Sequence, residues 1–274
     1  MFYVPHKIRE MESTGIRIRI FSFCHLNTKG EKMLKVSFIL TTYNSRDNFL
    51  RTYNSITKQT YPDMEIIVID GGSVDGTREA IASKAAENPG LHWISEKDTG
   101  IYNAMNKGLR MASGDIIACF NDEFTTPDAV SQYVSILERE KTDAAHSDLC
   151  YVDHTGKRIR KWRMGTGQIE KGWMPAHPTL FARRELYDKY GVYKEDYLCA
   201  ADYEWMIRIL KDGSTRLSYI PQQLVAMAYG GTSSSGIKAY LLSFRESVRA
   251  LRENRIKGAL RITLLRSLRV LRQF

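Results

Sequence analysis

The sequence predicts an α/β fold, Rossmann-like, with a mixed but mostly parallel sheet flanked by helices and a C-terminal helical extension. Two observations carry this. Four short apolar runs, Val36 to Leu40, Ile66 to Ile69, Leu91 to Ile94 and Ile116 to Phe120, each read as a buried parallel strand. Each run is followed by a polar cluster, which reads as the loop at the strand's carboxyl end. That is where open α/β sheets bind nucleotides.

The elements follow in order. Val36–Thr41 is the first strand of the body, and Arg46–Lys58 a helix that ends before Pro62. Glu65–Asp70 is the second strand, and Thr77–Asn88 a helix terminated by Pro89-Gly90. His92–Ser95, Ile101–Met111, Asp115–Phe120 and Pro127–Lys141 continue the alternation, the last with proline in its first turn. Past residue 144 the rhythm changes. Ala144–Asp153 and Lys157–Trp162 flank a hairpin turn, Asp153-His154-Thr155-Gly156. A glycine-rich loop with a tryptophan spans Gly165–Pro178, Arg184–Tyr190 and Asp202–Lys211 read as helices, and Arg216–Ala228 as one or two strands. Gly230 to Gly236 reads as a flexible linker.

The chain's +9 charge is uneven: +8 from Ile237 to the end, +3 over residues 1–32, and −2 between. The body is near neutral and the basicity sits at its ends. This sets three segments: an N-terminal extension (1–32) with Met33 an alternative start, a body (33–236), and a basic amphipathic tail (237–274). Ile16 to Ile20 alternates like a strand, so the extension is either an appended lead or a strand on a sheet edge. No run approaches the roughly 18 apolar residues of a spanning helix. Cys24, Cys119, Cys150 and Cys199 form no CxxC pair, which fits a reducing cytoplasm better than zinc or a disulfide scaffold.

Chemistry concentrates in the loops. Tyr43, after Thr41-Thr42, offers a flat stacking face. Asp70, directly after an apolar strand, is costly unless paired, and its carboxylate suits a ring N–H of a uracil-type base. Asp75, before Gly76-Thr77, reads as a turn former or helix cap. Asp98-Thr99-Gly100 allows a close backbone turn, and the helix starting at Ile101 favours an anion such as a diphosphate. Lys107 reads as a solvated charge. No G-x-G-x-x-G follows the first strand, which excludes a nucleotide-dependent dehydrogenase.

Over about Met33 to Ser235 these loops resemble family 2 glycosyltransferases of the GT-A fold, close to the bacterial branch that builds surface polysaccharides such as O-antigen or capsule. The resemblance implies transfer from a nucleotide-sugar, UDP-linked, to a lipid-linked or saccharide acceptor with inversion. It carries donor contacts onto Thr41, Tyr43, Asp70, Asp98, Gly100, Tyr102, Asn106, Asn121 and Asp122. It also implies a divalent metal, Mg²⁺ or Mn²⁺. Here the usual acidic motif reads Asn121-Asp122-Glu123-Phe124; strict register puts Glu123 at the metal, and Asp122 is the other candidate. Asp202 matches the family's base, with helix capping as its alternative role. His177 and Trp173 lie in a loop that implies acceptor or diphosphate contact.

The tail sets Leu260, Leu264, Leu268 and Leu271 on one helical face, with Lys257, Arg261, Arg266, Arg269 and Arg272 elsewhere. This suits an anionic membrane surface on the inner face of the bacterial inner membrane. A helix docked on the body and a dimerisation helix remain the alternatives. No nucleic-acid module accompanies the basic residues. A degenerate, non-catalytic nucleotide-sugar-binding module tethered by its tail is the rival reading, supported by the altered acidic motif.

Overall fold

The computed structural model describes residues 4–13, 16–24, 33–153, 155–228 and 237–271. Strands β3 (Val36–Thr42), β4 (Met64–Asp70), β5 (Leu91–Ser95) and β6 (Ile116–Cys119) pair in parallel, β3 lying between β4 and β6. Both faces are covered, so alternate side chains enter opposite cores. Phe38, Leu40, Ile66, Val68 and Ala118 pack against α1 (Arg46–Thr57), α2 (Thr77–Glu87) and α4 (Ala129–Glu140). Ile39, Ile67, Ile69, Ile117 and Cys119 pack towards α3 (Ile101–Met111), α5 (Arg184–Tyr190) and α6 (Ala201–Leu210).

The remaining strands are β7 (Glu123–Phe124), β8 (Ala144–Val152), β9 (Arg158–Trp162), β10 (Phe181–Arg183) and β11 (Leu217–Ala228). They complete one nine-stranded sheet in the order β5-β4-β3-β6-β10-β8-β11-β7, with β9 paired to β8. Antiparallel β10 joins the two halves, bonding to β6 on one side and to the start of β8 on the other. It is too short to show a period in the sequence. Its position follows from packing: Phe181 is fully buried and stacks on Tyr133 with ring centroids 3.9 Å apart. Segment 216–228 is one strand, with register shifts around Pro221. Proline is tolerated there because the ladder is already broken.

The two ends differ. Strands β1 (Val4–Ser13) and β2 (Ile16–Cys24) form a separate two-stranded antiparallel sheet and add nothing to the edge of the large one. Helices α7 (Ile237–Glu253) and α8 (Ala259–Leu271) sink one face into the body. Val248, Ala250, Leu251, Ala259 and Ile262 share a core cluster with Trp205 and Ile207 of α6. The docked alternative therefore describes the inner face of the tail. Its outer face keeps Leu260, Leu264 and Leu268 at 55, 50 and 52 % exposure. The Gly230–Gly236 linker and Arg272 lie outside the described residues.

Candidate active site

The strand order reverses between β3 and β6, and there the carboxyl-end loops converge. Tyr43 stands out from the end of β3, 64 % exposed. Next to it Gly71 permits a close approach of loops: a Cβ there would lie 3.2 Å from both the Tyr43 ring and the Asp98 carboxylate. Tyr43, Gly71 and Asp98, each from a different loop, thus face one small space. Asp75 accepts from the Thr77 and Arg46 backbone N–H groups and holds the turn before α2, a structural role.

Asp70 departs from the sequence reading. Its carboxylate is 0 % exposed. One oxygen accepts from the Ser73 N–H at 3.0 Å and the Ser95 hydroxyl at 2.6 Å; the other accepts from the Ser73 hydroxyl. Its own carbonyl accepts from Glu96 N–H. A carboxylate at the end of an apolar strand is stable only when paired, and here the protein itself supplies every partner. Asp70 ties the β4 loop to β5 and presents no free oxygen to a base.

Lys107 is likewise not a solvated charge. It is mostly buried, and its ammonium lies 2.6 Å from Asp98 and 2.7 Å from Glu96. Burial acts to lower its pKa, but the two carboxylates prevail and raise it. Gly100, which precedes α3, has φ +147°, a conformation side-chain-bearing residues rarely adopt. The first turn of α3 therefore opens beside Asp98 with unpaired N–H groups.

Two other residues of this segment turn away from the loops. Asn106 is buried. Its amide donates to the Tyr193 carbonyl at 2.8 Å and to Glu195 at 2.9 Å, and accepts from the Tyr193 N–H at 3.1 Å. Both amide protons are taken and the side chain is buried away from the loops, so Asn106 grips the 193–195 loop instead. Tyr102 is also buried and donates its hydroxyl to Asp202 at 3.0 Å. Burial, with the adjacent Asp202 charge, pushes its pKa far above the usual phenol value.

In the acidic motif, Asn121 locks the β6 end to β3. Its carbonyl oxygen accepts from Thr41 N–H at 3.1 Å and its amide donates to the Thr41 hydroxyl at 3.0 Å. Glu123, in β7, turns towards α1 and lies 3.8 Å from the Arg51 guanidinium. Strict register favours Glu123 as the metal ligand; its strand pairs with β11 and its carboxylate lies beside this arginine. Asp122 is half-buried, and burial together with the Glu123 charge pushes its carboxyl up to about 7. An anion this disfavoured fits a nearby cation. Among the described residues no group of three or more His, Cys, Asp or Glu is poised for a metal, so the remaining oxygens around an ion there would come from water, backbone or a bound ligand.

Asp202 is the second residue of α6, whose N-cap is Ala200 without any side-chain cap bond. The capping alternative is therefore not realised. Behind the Asp202–Tyr102 pair lies a buried hydroxyl cluster that sequence reasoning missed. Tyr193 OH sits 2.8 Å from His177 Nε2, 3.1 Å from Tyr187 OH and 3.6 Å from Cys119 Sγ. Burial lowers the His177 pKa, with Asp202 acting in the opposite direction. Trp173 is only 5 % exposed and donates its indole N–H to the Met164 carbonyl. It packs the interior and offers no face to a sugar.

Comparison with known proteins agrees with this geometry. Residues 37–193 match the Glycosyl transferase family 2 domain. Among solved structures, the fold is similar to an S. aureus TarS fragment in complex with UDP-GlcNAc (TM-score 0.65, 18 % identity, 86 % of this chain and 73 % of that one). It is also similar to the mannosyltransferase PcManGT of Pyrobaculum calidifontis in complex with GDP-Man and Mn²⁺ (TM-score 0.61, 19 % identity, 88 % and 75 %). The architecture is thus the GT-A fold of glycosyltransferases. An uncharacterised glycosyltransferase of Mycobacterium tuberculosis is 35 % identical over 186 residues, covering 63 % of this chain and 68 % of the relative. A PGL/p-HBAD biosynthesis glycosyltransferase of the same organism is 28 % identical over 212 residues, covering 73 % and 79 %. The chain belongs to glycosyl transferase family 2.

Proposed function

We propose that the protein transfers a sugar from a UDP-sugar, with inversion, to a saccharide or lipid-linked acceptor in bacterial surface-polysaccharide synthesis. One observation carries the reading: the Tyr102 hydroxyl ties Asp202 to the first turn of α3, next to the Asp98-Thr99-Gly100 loop. A carboxylate is thereby held beside a helix N-terminus suited to a diphosphate.

Each residue then has a task. Tyr43 stacks on the base, and Gly71, lacking a side chain, lets the Tyr43 and Asp98 loops lie close together beside it. Asp70, Asn121 and Thr41 hold the loops around it. Asp98, fixed by Lys107, faces the sugar-diphosphate with the N–H groups after Gly100. Asp122 is the residue that would hold a divalent metal, Mg²⁺ or Mn²⁺, and the metal would supply positive charge to offset that of a diphosphate leaving group. Asp202 takes the proton of the acceptor hydroxyl as its oxygen attacks the anomeric carbon and the bond to the nucleoside diphosphate breaks on the opposite face. Burial keeps His177 neutral at physiological pH, so it orients through Tyr193 without adding charge. The UDP-GlcNAc bound to TarS and the Mn²⁺ with PcManGT support the donor and metal classes, and the PGL/p-HBAD relative supports the pathway class.

The exposed ridge Leu260, Leu264 and Leu268, beside exposed Lys257 and Arg261, is the surface that meets an anionic membrane. No helix among the described residues is long and apolar enough to cross one. The test is thermal stabilisation by a panel of nucleotide-sugars with and without Mn²⁺. A UDP-sugar at 100 times its dissociation constant adds about 2.7 kcal/mol. Stabilisation by none of them overturns the donor assignment.

A further inference from the structure

The loop running into α6 is held from outside. From α3, Asn106 grips Tyr193 and Glu195. From α7, Arg249 pairs with Asp196, and Glu253 takes Lys194 at 2.8 Å and the Tyr197 hydroxyl at 2.9 Å. At its end stands Glu246. Its buried carboxylate accepts the backbone N–H groups of Leu198 at 2.8 Å, Cys199 at 2.9 Å and Ala200 at 3.0 Å, and the Cys199 thiol at 3.4 Å. Among the described residues Glu246 forms no ion pair; its compensation comes from these donors. Ala200 is the N-cap of α6 and has no side chain able to cap it; the α7 carboxylate instead holds the N-cap's own N–H and the two N–H groups before it. Asp202 follows two residues later.

We propose that Glu246 is a positioning residue for sugar transfer: it clamps the 198–200 backbone so that Asp202 meets the Tyr102 hydroxyl and faces the donor loop. Helix α7 is in this way part of the catalytic apparatus and not a detachable anchor. A carboxylate that spans three successive N–H groups leaves the backbone little freedom at the start of α6. Without it, the first turn frays and the carboxylate of Asp202 loses its fixed direction. The inference rests on the reading of Asp202 as the base.

The test uses the full chain, UDP-GlcNAc with Mn²⁺ as the probe, and the variants Glu246→Ala, Glu246→Gln and Asp202→Asn. In Glu246→Ala, kcat falls by roughly ten- to a hundredfold. UDP affinity measured by calorimetry stays within about twofold of the parent, because the lost interaction serves the transition state. Glu246→Gln, which keeps one acceptor oxygen, falls less. A second readout is independent of turnover. Burial first, then Glu246, push the Cys199 thiol up to about 11. In Glu246→Ala, alkylation of Cys199 by iodoacetamide, followed by mass spectrometry of its peptide, therefore accelerates. Wild-type kcat in folded Glu246→Ala overturns the inference, as does an equal loss of kcat and UDP affinity, which marks a merely structural role. If the alanine variant does not fold, the same criteria apply to Glu246→Gln. Turnover retained in Asp202→Asn overturns the parent reading of the base. An inactive Asp202→Asn beside a fully active Glu246→Gln overturns only the clamp. If the parent chain does not turn over UDP-GlcNAc, unchanged Cys199 reactivity in Glu246→Ala decides against the clamp by itself.

Discussion

On the donor side of the site, each candidate side chain lies within a few residues of the strand that presents it. Tyr43 follows β3, Gly71 follows β4, Asp98 follows β5 and Asp122 follows β6. On the side that carries Asp202, every important partner arrives from far along the chain. Tyr102 is 100 residues away, Asn106 reaches 87 residues to Tyr193, and Glu246 reaches back 46 residues to Ala200. The first side is assembled by local chain direction at a sheet edge. The second exists only once α3, α6 and α7 have packed. The donor loops should therefore tolerate substitution with losses in binding, whereas changes on the other side should act on turnover or on folding.

The sharpest way to break this division is Asp202→Asn, which keeps shape and removes the proposed base. Transfer falls by about 10² to 10⁴, while calorimetry finds UDP binding unchanged. Donor affinity lost together with activity would merge the two sides.

Acid should separate the halves next. In the C-terminal half, burial holds His146 neutral and lowers its pKa from 6.5 to about 4, against the Ser147 backbone, which acts the other way. The unfolded chain binds that proton more readily, so stability falls as pH drops from 6.5 towards 4, by about 3 kcal/mol. In the N-terminal half, Glu65 is lowered from 4.5 to about 2: burial opposes its ionisation, but Lys35, Ser37 and Ser113 more than offset that. Its contribution is present above pH 4.5 and is lost as pH falls towards 2, again by about 3 kcal/mol. Denaturant titrations across both windows read the two losses. His146→Phe should flatten only the upper one, and a profile unchanged by that substitution would remove His146 as its cause.

Asp70→Ala sharpens the comparison from the donor side. The carboxylate binds loops, not ligand, so its removal orphans the Ser73 and Ser95 donors and costs about 1–3 kcal/mol of stability. UDP affinity weakens as a consequence. Weakened UDP binding at an unchanged melting temperature would return Asp70 to direct contact with the base. Tyr43→Ala is the smallest effect: affinity for UDP drops by about 1 kcal/mol with no change in melting temperature, since the exposed ring has only a stacking role. Equal affinity in that variant would place the base elsewhere.

Much of the donor side was legible in the sequence, because a buried parallel strand announces itself as an apolar run and the polar residues that end it must lie at the sheet's carboxyl edge. The strands at 36, 66, 91 and 116, the helices between them and the hairpin at 153–156 all follow from such local patterns. The directions of individual side chains do not. Asn106 and Tyr102 share a helix with the donor loop, yet both face inward, where the 193–195 loop and Asp202 have come to rest. Lys107 looks like a surface lysine until the β5 loop folds over it. The one hint was the pair Glu96 and Asp98 placed ahead of its helix.

What the sequence determined by itself is the α/β alternation, the position of the sheet's carboxyl edge with its polar loops and the amphipathic character of the last two helices, since each depends on periodicity over a few residues. Tertiary structure decided the rest. Short β7 and β10 owe their place to neighbours that precede and follow them by many residues. The tail's inner face joined the core because α6 offered an apolar surface of matching shape, while Leu260, Leu264 and Leu268 were left outside. The backbone N–H groups of 198–200 found their acceptor in Glu246, on a distant helix. Such pairings cost loop entropy and are made only when packing brings their partners together, so no local pattern announces them.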